Sequence, residues 1–197
     1  NLGIILQSQG RFDQAEKCYK KAIGLQPDHA EAHNNLGNLL AELKRFSDAE
    51  RSFARAIEVK PHYAEVHYNF GNMLLKEGRL EQAKECYTRA ISIKDNFGLA
   101  YINLGNALQK LGRLSEAEES YRQALAFEAE RAPALSNLGN VLVELGRFIE
   151  AEKSYREAIS LDSDFVPAYP NLGRPLSQLG RIGEADLALR NISLRSN

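Results

Sequence analysis

The triplet Asn-Leu-Gly, or Asn-Phe-Gly, stands at Asn1, Asn35, Asn69, Asn103, Asn137 and Asn171, each copy 34 residues after the last. A fixed period of that length, kept without insertion, restricts the chain to a repeat architecture in which each unit buries its apolar face on its neighbours. The triplet is also a poor helix former. Asparagine costs roughly half a kcal/mol and glycine about one relative to alanine in a helix interior, so the recurrence requires a reason in packing or in binding.

Residues 98–131 show the unit. Ala100, Tyr101, Leu104, Leu108 and Leu111 fall at helical spacing, which predicts a first helix over about 99–111. Gly112 then supplies the left-handed residue that ends it. Gly10, Gly78, Gly146 and Gly180 match it and Lys44 departs, at an expected cost of up to about 1 kcal/mol. A second helix is predicted over about 115–127, its face made by Leu114, Ala117, Tyr121, Ala124 and Leu125. Ala15, Ala49, Ala83, Ala117, Ala151 and Ala185 recur at one place, where a small side chain lets two helices approach. The Gly105 position reads the same way: a missing side chain that admits the second helix and its aromatic residue. The boundaries that follow are 1–29 for a truncated first repeat, complete repeats at 30–63, 64–97, 98–131 and 132–165, and a degenerate terminal repeat at 166–197, all in one solenoid. Starting at Asn1 inside a repeat, the chain reads as a piece of a longer protein.

Leu104, Gly105, Leu108, Ala117, Tyr121 and Ala124, with Pro27 and Pro61 between units, resemble the tetratricopeptide repeat. The resemblance implies an all-α fold, an α-solenoid of antiparallel helix pairs in a right-handed superhelix, with the first helices lining a concave face that holds peptides or partner proteins. It therefore implies a protein–protein interaction scaffold. Two alternatives stand beside it. Asparagines at one groove position in repeat after repeat are similar to the tetratricopeptide arm of the O-linked N-acetylglucosamine transferases, which implies a substrate-recognition arm whose catalytic domain lies outside this chain. The third reading is a self-assembly module that uses exposed end faces.

Leu104 and Leu108 take the core face of the first helix, so Asn103 and Asn106 share another. Stacking turns them into two rows, Asn35, Asn69, Asn103 and Asn137, then Asn38, Asn72, Asn106 and Asn140. A carboxamide both donates and accepts, so such rows fit an extended peptide backbone; equally, each asparagine could bond to the neighbouring helix and fix the stacking. The eight are the candidate peptide-binding groove. The cations of a carboxylate clamp for acidic chaperone tails are missing, since Asn34, Tyr68, Ile102 and Ser136, or Glu65, Leu99 and Pro133, stand at their places.

Other chemistry is not expected. A net charge of −1 offers no general attraction to nucleic acid or anionic lipid, and no apolar run approaches the ~18 residues of a membrane span; a cytoplasmic location is expected. His29 and His33 stand four apart without the glutamate that the zinc-protease pattern places after the first histidine, and His33 and His67 occupy the place of Tyr101 and Tyr169, a packing position. Cys18 and Cys86, two repeats apart, read as buried, unbridged thiols. No catalytic residue, metal site or cofactor is expected. Arg11, Arg45, Arg79, Arg113, Arg147 and Arg181 follow the turn residue and read as cations at the C-terminal end of the first helix, favoured by its dipole. The last repeat departs: Pro170 and Pro175 replace Ile102 and Ala107, Pro167 stands at a helix start, Arg174 replaces the second-row asparagine, and Leu189 and Ile192 replace the aromatic and an alanine. Pro175 predicts a kinked or poorly ordered terminal repeat, with the groove ending near Asn140 or Asn171. No polar capping helix follows Leu194, and apolar end faces predict end-to-end self-association.

Overall fold

The computed structural model describes residues 2–163 and 168–193, the last five by their backbone alone. Pro167 and Leu194, and the side chains of Leu189 and Ile192, lie outside the described residues. The chain divides into two compact units, Asn1–Asp95 and Asn96–Asn197. Unit 1 holds α1 (Leu2–Ser8), α2 (Phe12–Leu25), α3 (Ala30–Glu42), α4 (Phe46–Val59), α5 (Ala64–Lys76) and α6 (Leu80–Ile93). Unit 2 holds α7 (Gly98–Lys110), α8 (Leu114–Ala124), a 3-10 turn (Glu128–Glu130), α9 (Arg131–Glu144), α10 (Phe148–Leu161), α11 (Ala168–Gln178) and α12 (Ile182–Ser193). No strand occurs among the described residues. Within each unit consecutive helices pack in pairs and the pairs stack, so the fold is an all-α helical repeat.

The first five pairs are each built around an alanine and an aromatic ring. Ala49, Ala83, Ala117 and Ala151 are fully buried, as are Phe53, Tyr87 and Tyr121, with Tyr155 nearly so. The rings lie against the triplet glycines. A Cβ on Gly105 would come within 2.6 Å of the Tyr121 ring, and one on Gly37 within 2.8 Å of Phe53. Those glycines are packing residues, as their position predicts.

Gly112, φ 74°, closes α7, and Lys44 takes the same conformation at φ 59°. In each turn the following arginine donates its backbone N–H five residues back, Arg113 to the Leu108 carbonyl at 2.9 Å and Arg45 to Leu40 at 2.8 Å. These bonds satisfy carbonyls that the helix end leaves unpaired.

The arginine side chains have another role than their sequence position suggests. Each caps the N-terminus of the second helix, where the dipole gives a cation nothing. Carboxylates hold it instead in every case but Arg11, which donates to Gln9 and Gln14. Arg147 pairs with Glu150 three residues on (2.6 Å) and with Glu118 on the preceding second helix (2.6 Å). Arg181 repeats this with Glu184 (2.6 Å) and Glu152 (2.7 Å), and Arg45 with Asp48 (2.9 Å) and Glu16 (2.8 Å). Arg79 reaches Glu50 at 2.9 Å. The arginine bond holds Glu150 below its ordinary carboxylate range.

Two elements depart from expectation. The second helix of the 98–131 repeat ends at Ala124, and the 3-10 turn precedes α9. Phe127 folds back onto Tyr101, ring centroids 6.1 Å apart. Gly98 stands where Ala30, Ala64 and Ala132 stand elsewhere, because a Cβ there would meet Phe127 at 2.9 Å. At the other end α11 runs as one helix from Ala168 to Gln178 with buried Pro175 inside it. Proline has no N–H, so the Asn171 carbonyl lacks its intrahelical donor. Beyond it the ladder resumes, Leu179 N–H donating to the Pro175 carbonyl at 3.0 Å.

Candidate functional site

In unit 2 the first helices α7, α9 and α11 carry Asn103, Asn106, Asn137, Asn140 and Asn171 on their half-exposed face. The side chains are tied to one another. Asn106 Nδ2 donates to Asn103 Oδ1 (3.2 Å), Asn137 Nδ2 to Asn106 Oδ1 (3.3 Å), and Asn171 Nδ2 to Asn140 Oδ1 (3.0 Å). First-row asparagines thus reach back to the second-row asparagine of the preceding repeat.

The second row has a further partner, which the sequence reading missed. In three pairs the core tyrosine donates its hydroxyl across to it: Tyr121 to Asn106 (2.7 Å), Tyr155 to Asn140 (2.7 Å) and, in unit 1, Tyr87 to Asn72 (2.9 Å). Tyrosine at a fixed offset of 15 residues from asparagine was the available signal. Burial raises the pKa of all three phenols well above the ordinary value, so each stays a donor.

Unit 1 is tied differently. Asn69 Nδ2 donates to Asn34 Oδ1 at 3.0 Å rather than to Asn38. Asn34 is buried. Asn35 lines a recess with Leu2, Ile4, Tyr19 and His29. The second-row Asn38 is half-exposed, and its repeat carries Phe53 where the next three carry Tyr87, Tyr121 and Tyr155.

Unspent hydrogen-bonding groups open onto a cleft of about 270 Å³ in unit 2, lined by Gln109, Asn140, Val143, Glu144, Tyr155, Pro170, Asn171 and Arg174. Gln109 donates to Glu144 (2.5 Å), and Arg174 stands exposed beside the asparagines. A larger cleft, about 490 Å³, lies in unit 1 between α2 and α4 with α3 as its floor. Its charges are spent internally: Lys20 and Arg45 pair with Glu16, Arg51 with Asp48, and Arg55 with Asp28.

The histidines and cysteines have structural places. His29 caps α3, its Nδ1 accepting from the Ala32 N–H at 3.4 Å. His33 and His67 bond through Nε2 to the carbonyls of Pro27 (2.9 Å) and Pro61 (3.1 Å), as Tyr169 donates to that of Ser163 (2.9 Å). Cys18 and Cys86 are unbridged and half-buried, less buried than expected; burial pushes the Cys86 thiol up to about 11. Among the described residues no helix is long and apolar enough to cross a membrane.

No curated protein sequence matches the chain. Solved structures do, at the level of fold. PilW, a widely conserved type IV pilus biogenesis factor, is 20% identical with a TM-score of 0.85, over 98% of this chain and 90% of its own. The pilF protein of Pseudomonas aeruginosa is 18% identical with a TM-score of 0.83, over 97% and 88%. YrrB, a TPR protein with an unusual peptide-binding site, is 22% identical with a TM-score of 0.72, over 88% and 90%. The family model of the cilia and flagella-associated protein 70 C-terminal domain matches residues 1–195, and the chain belongs to that family of tetratricopeptide-repeat domains.

Proposed function

We propose that the chain is a binding scaffold, not a catalyst, and that the asparagine-bearing face of its first helices holds an extended segment of a partner protein. One observation carries this reading: after the stitching bonds are made, the carboxamides still have unspent donors and acceptors on an open face. Asn140 keeps both Nδ2 hydrogens, and Asn137 and Asn171 each keep one together with Oδ1. A peptide backbone supplies the complementary groups whatever its side chains. Stacking and binding are then two uses of one amide row. The peptide-binding site of YrrB supports the reading by likeness of fold.

The glycosyltransferase-arm alternative rests on the asparagine rows alone, while the family match is to a cilia and flagella-associated domain. Self-association is favoured by Leu2, Ile4 and Ile5, exposed on α1, which either a preceding helix or a second copy would cover. Sedimentation over a wide protein range tests it: a concentration-independent monomer removes it.

The main test is selection of peptides from a random display library on the intact chain, followed by titration against the Asn106→Asp/Asn140→Asp double variant. A carboxylate still accepts from Tyr121, Tyr155 and the next asparagine, so the stack survives, yet it donates nothing. The selected peptide should lose at least about tenfold in affinity, or 1.4 kcal/mol, with the thermal midpoint little changed. Unchanged affinity would dismiss this face.

A further inference from the structure

The stitching has a consequence for which groups of a partner the face accepts. An amide oxygen has two lone pairs. Asn140 Oδ1 receives the Tyr155 hydroxyl at 2.7 Å and Asn171 Nδ2 at 3.0 Å. Asn106 Oδ1 receives the Tyr121 hydroxyl at 2.7 Å and Asn137 Nδ2 at 3.3 Å. Both oxygens are full, so these carboxamides can offer a guest only N–H groups: two from Asn140, and one from Asn106 after its bond to Asn103.

The 30–63 repeat of the same chain differs in two places, at the core aromatic and at Asn34, which stands where Tyr68, Ile102 and Ser136 stand in the next three repeats. In the 30–63 repeat the core aromatic is Phe53, equally buried but without a hydroxyl. There the stitch is displaced, Asn69 donating to Asn34. No side-chain hydrogen bond reaches Asn38 among the described residues, and it is not held in either sense.

We infer that the hydroxyls of Tyr121 and Tyr155 are positioning groups that make the second-row carboxamides of unit 2 donor-only, so that this row takes carbonyl oxygens of a partner strand, whereas Phe53 leaves Asn38 free to turn and to meet either a carbonyl or an N–H. Turning Asn140 by half a revolution would set its NH2 against the Asn171 NH2 and lose an acceptor for the tyrosine. At Asn38 the same turn breaks no bond. Arg174 extends the donor row into the last repeat, since a guanidinium also donates and never accepts. Glu144, one turn along α9 from Asn140 and lining the same cleft, disfavours a full negative charge and leaves the neutral peptide carbonyl as the better guest.

This inference rests on the first-helix face being the partner face, but its test requires no partner. Nuclear relaxation of the asparagine NH2 groups in the whole chain reads their order directly. Asn106 and Asn140 should show side-chain order close to that of rigid backbone, ~0.8, and Asn38 a value below about 0.6. Tyr155→Phe should bring Asn140 down towards the Asn38 value while leaving Asn106 unchanged. Phe53→Tyr should raise Asn38, and if Tyr155→Phe fails to fold, this gain alone decides. A merely structural role for the hydroxyl would change the melting temperature without moving the two amides in opposite directions. Equal order at Asn38 and Asn140 in the native chain, or an Asn38 unmoved by Phe53→Tyr, would overturn the inference and leave the scaffold reading intact.

Discussion

Gly105 and Gly24 are both glycines inside helices, yet alanine should act on them with opposite sign. At Gly105 a methyl would meet the Tyr121 ring at 2.6 Å, whereas nothing lies within 4 Å of one at Gly24. Overpacking costs about 1–3 kcal/mol and outweighs the gain of up to about 1 kcal/mol in helix propensity. Thermal melts should therefore show Gly105→Ala destabilised and Gly24→Ala slightly stabilised. His67 makes a prediction in pH. Burial, opposed by its bond to Pro61 and aided by Arg89, holds its pKa below the ordinary value. The unfolded chain then binds more protons, so stability is complete above about pH 6.5 and falls as the solution is acidified below it. His67→Tyr, which copies Tyr169, should lose less melting temperature between neutral and mildly acid buffer than the native chain; an identical loss would count against this account. At this scale the residue types were legible in advance. Gly3, Gly37, Gly71, Gly105 and Gly139 each face a ring, as the 34-residue spacing requires. The tyrosine hydroxyls were missed because periodicity registers a large apolar ring and is blind to the one polar atom at its tip.

At the scale of the element, Pro175 supplies the prediction. Pro175→Ala restores an N–H opposite the Asn171 carbonyl and removes the ring clash with the preceding turn, an effect on the order of 3 kcal/mol in a helix interior. Filling the buried site less fully takes some of this back, because Pro175 is tightly enclosed. A gain of about 1–2 kcal/mol in denaturant titration is expected. A loss would mean that the proline ring contributes more by packing than it costs in the backbone. The sequence predicts a kink or poor order here, because it weighs a proline by its local cost. Burial of Leu172, Leu176 and Pro175 itself is a tertiary term that local propensity does not contain. The early end of α8 has the same origin: Phe127 was counted as helix by its spacing, while its ring packs on Tyr101 and turns the chain away. The arginine row was also read locally, from a dipole, when carboxylates on its own helix and on the preceding second helix hold all of it but Arg11.

For the whole molecule, the division into Asn1–Asp95 and Asn96–Asn197 gives each unit three helix pairs, about the number a repeat array requires for stability. Fragments 1–95 and 96–197 should each keep helical circular dichroism and melt cooperatively; a fragment without a cooperative transition would show that its core is incomplete alone. The repeat fold was legible almost entirely from the period, because equal chain steps impose equal packing. The candidate site was legible in its residues but not in their wiring, since sequence places Asn137 and Asn140 on one face without saying which neighbour consumes which atom. The central claim is that those partly consumed amides hold a partner strand. Side-chain amide spectra recorded while a selected peptide is titrated into the intact chain test it most directly. The account predicts that the shifts concentrate on the NH2 groups of Asn137, Asn140 and Asn171 and on Arg174. Shifts confined to the outer faces of the second helices, around Arg122, Lys153 and Arg156, would contradict it.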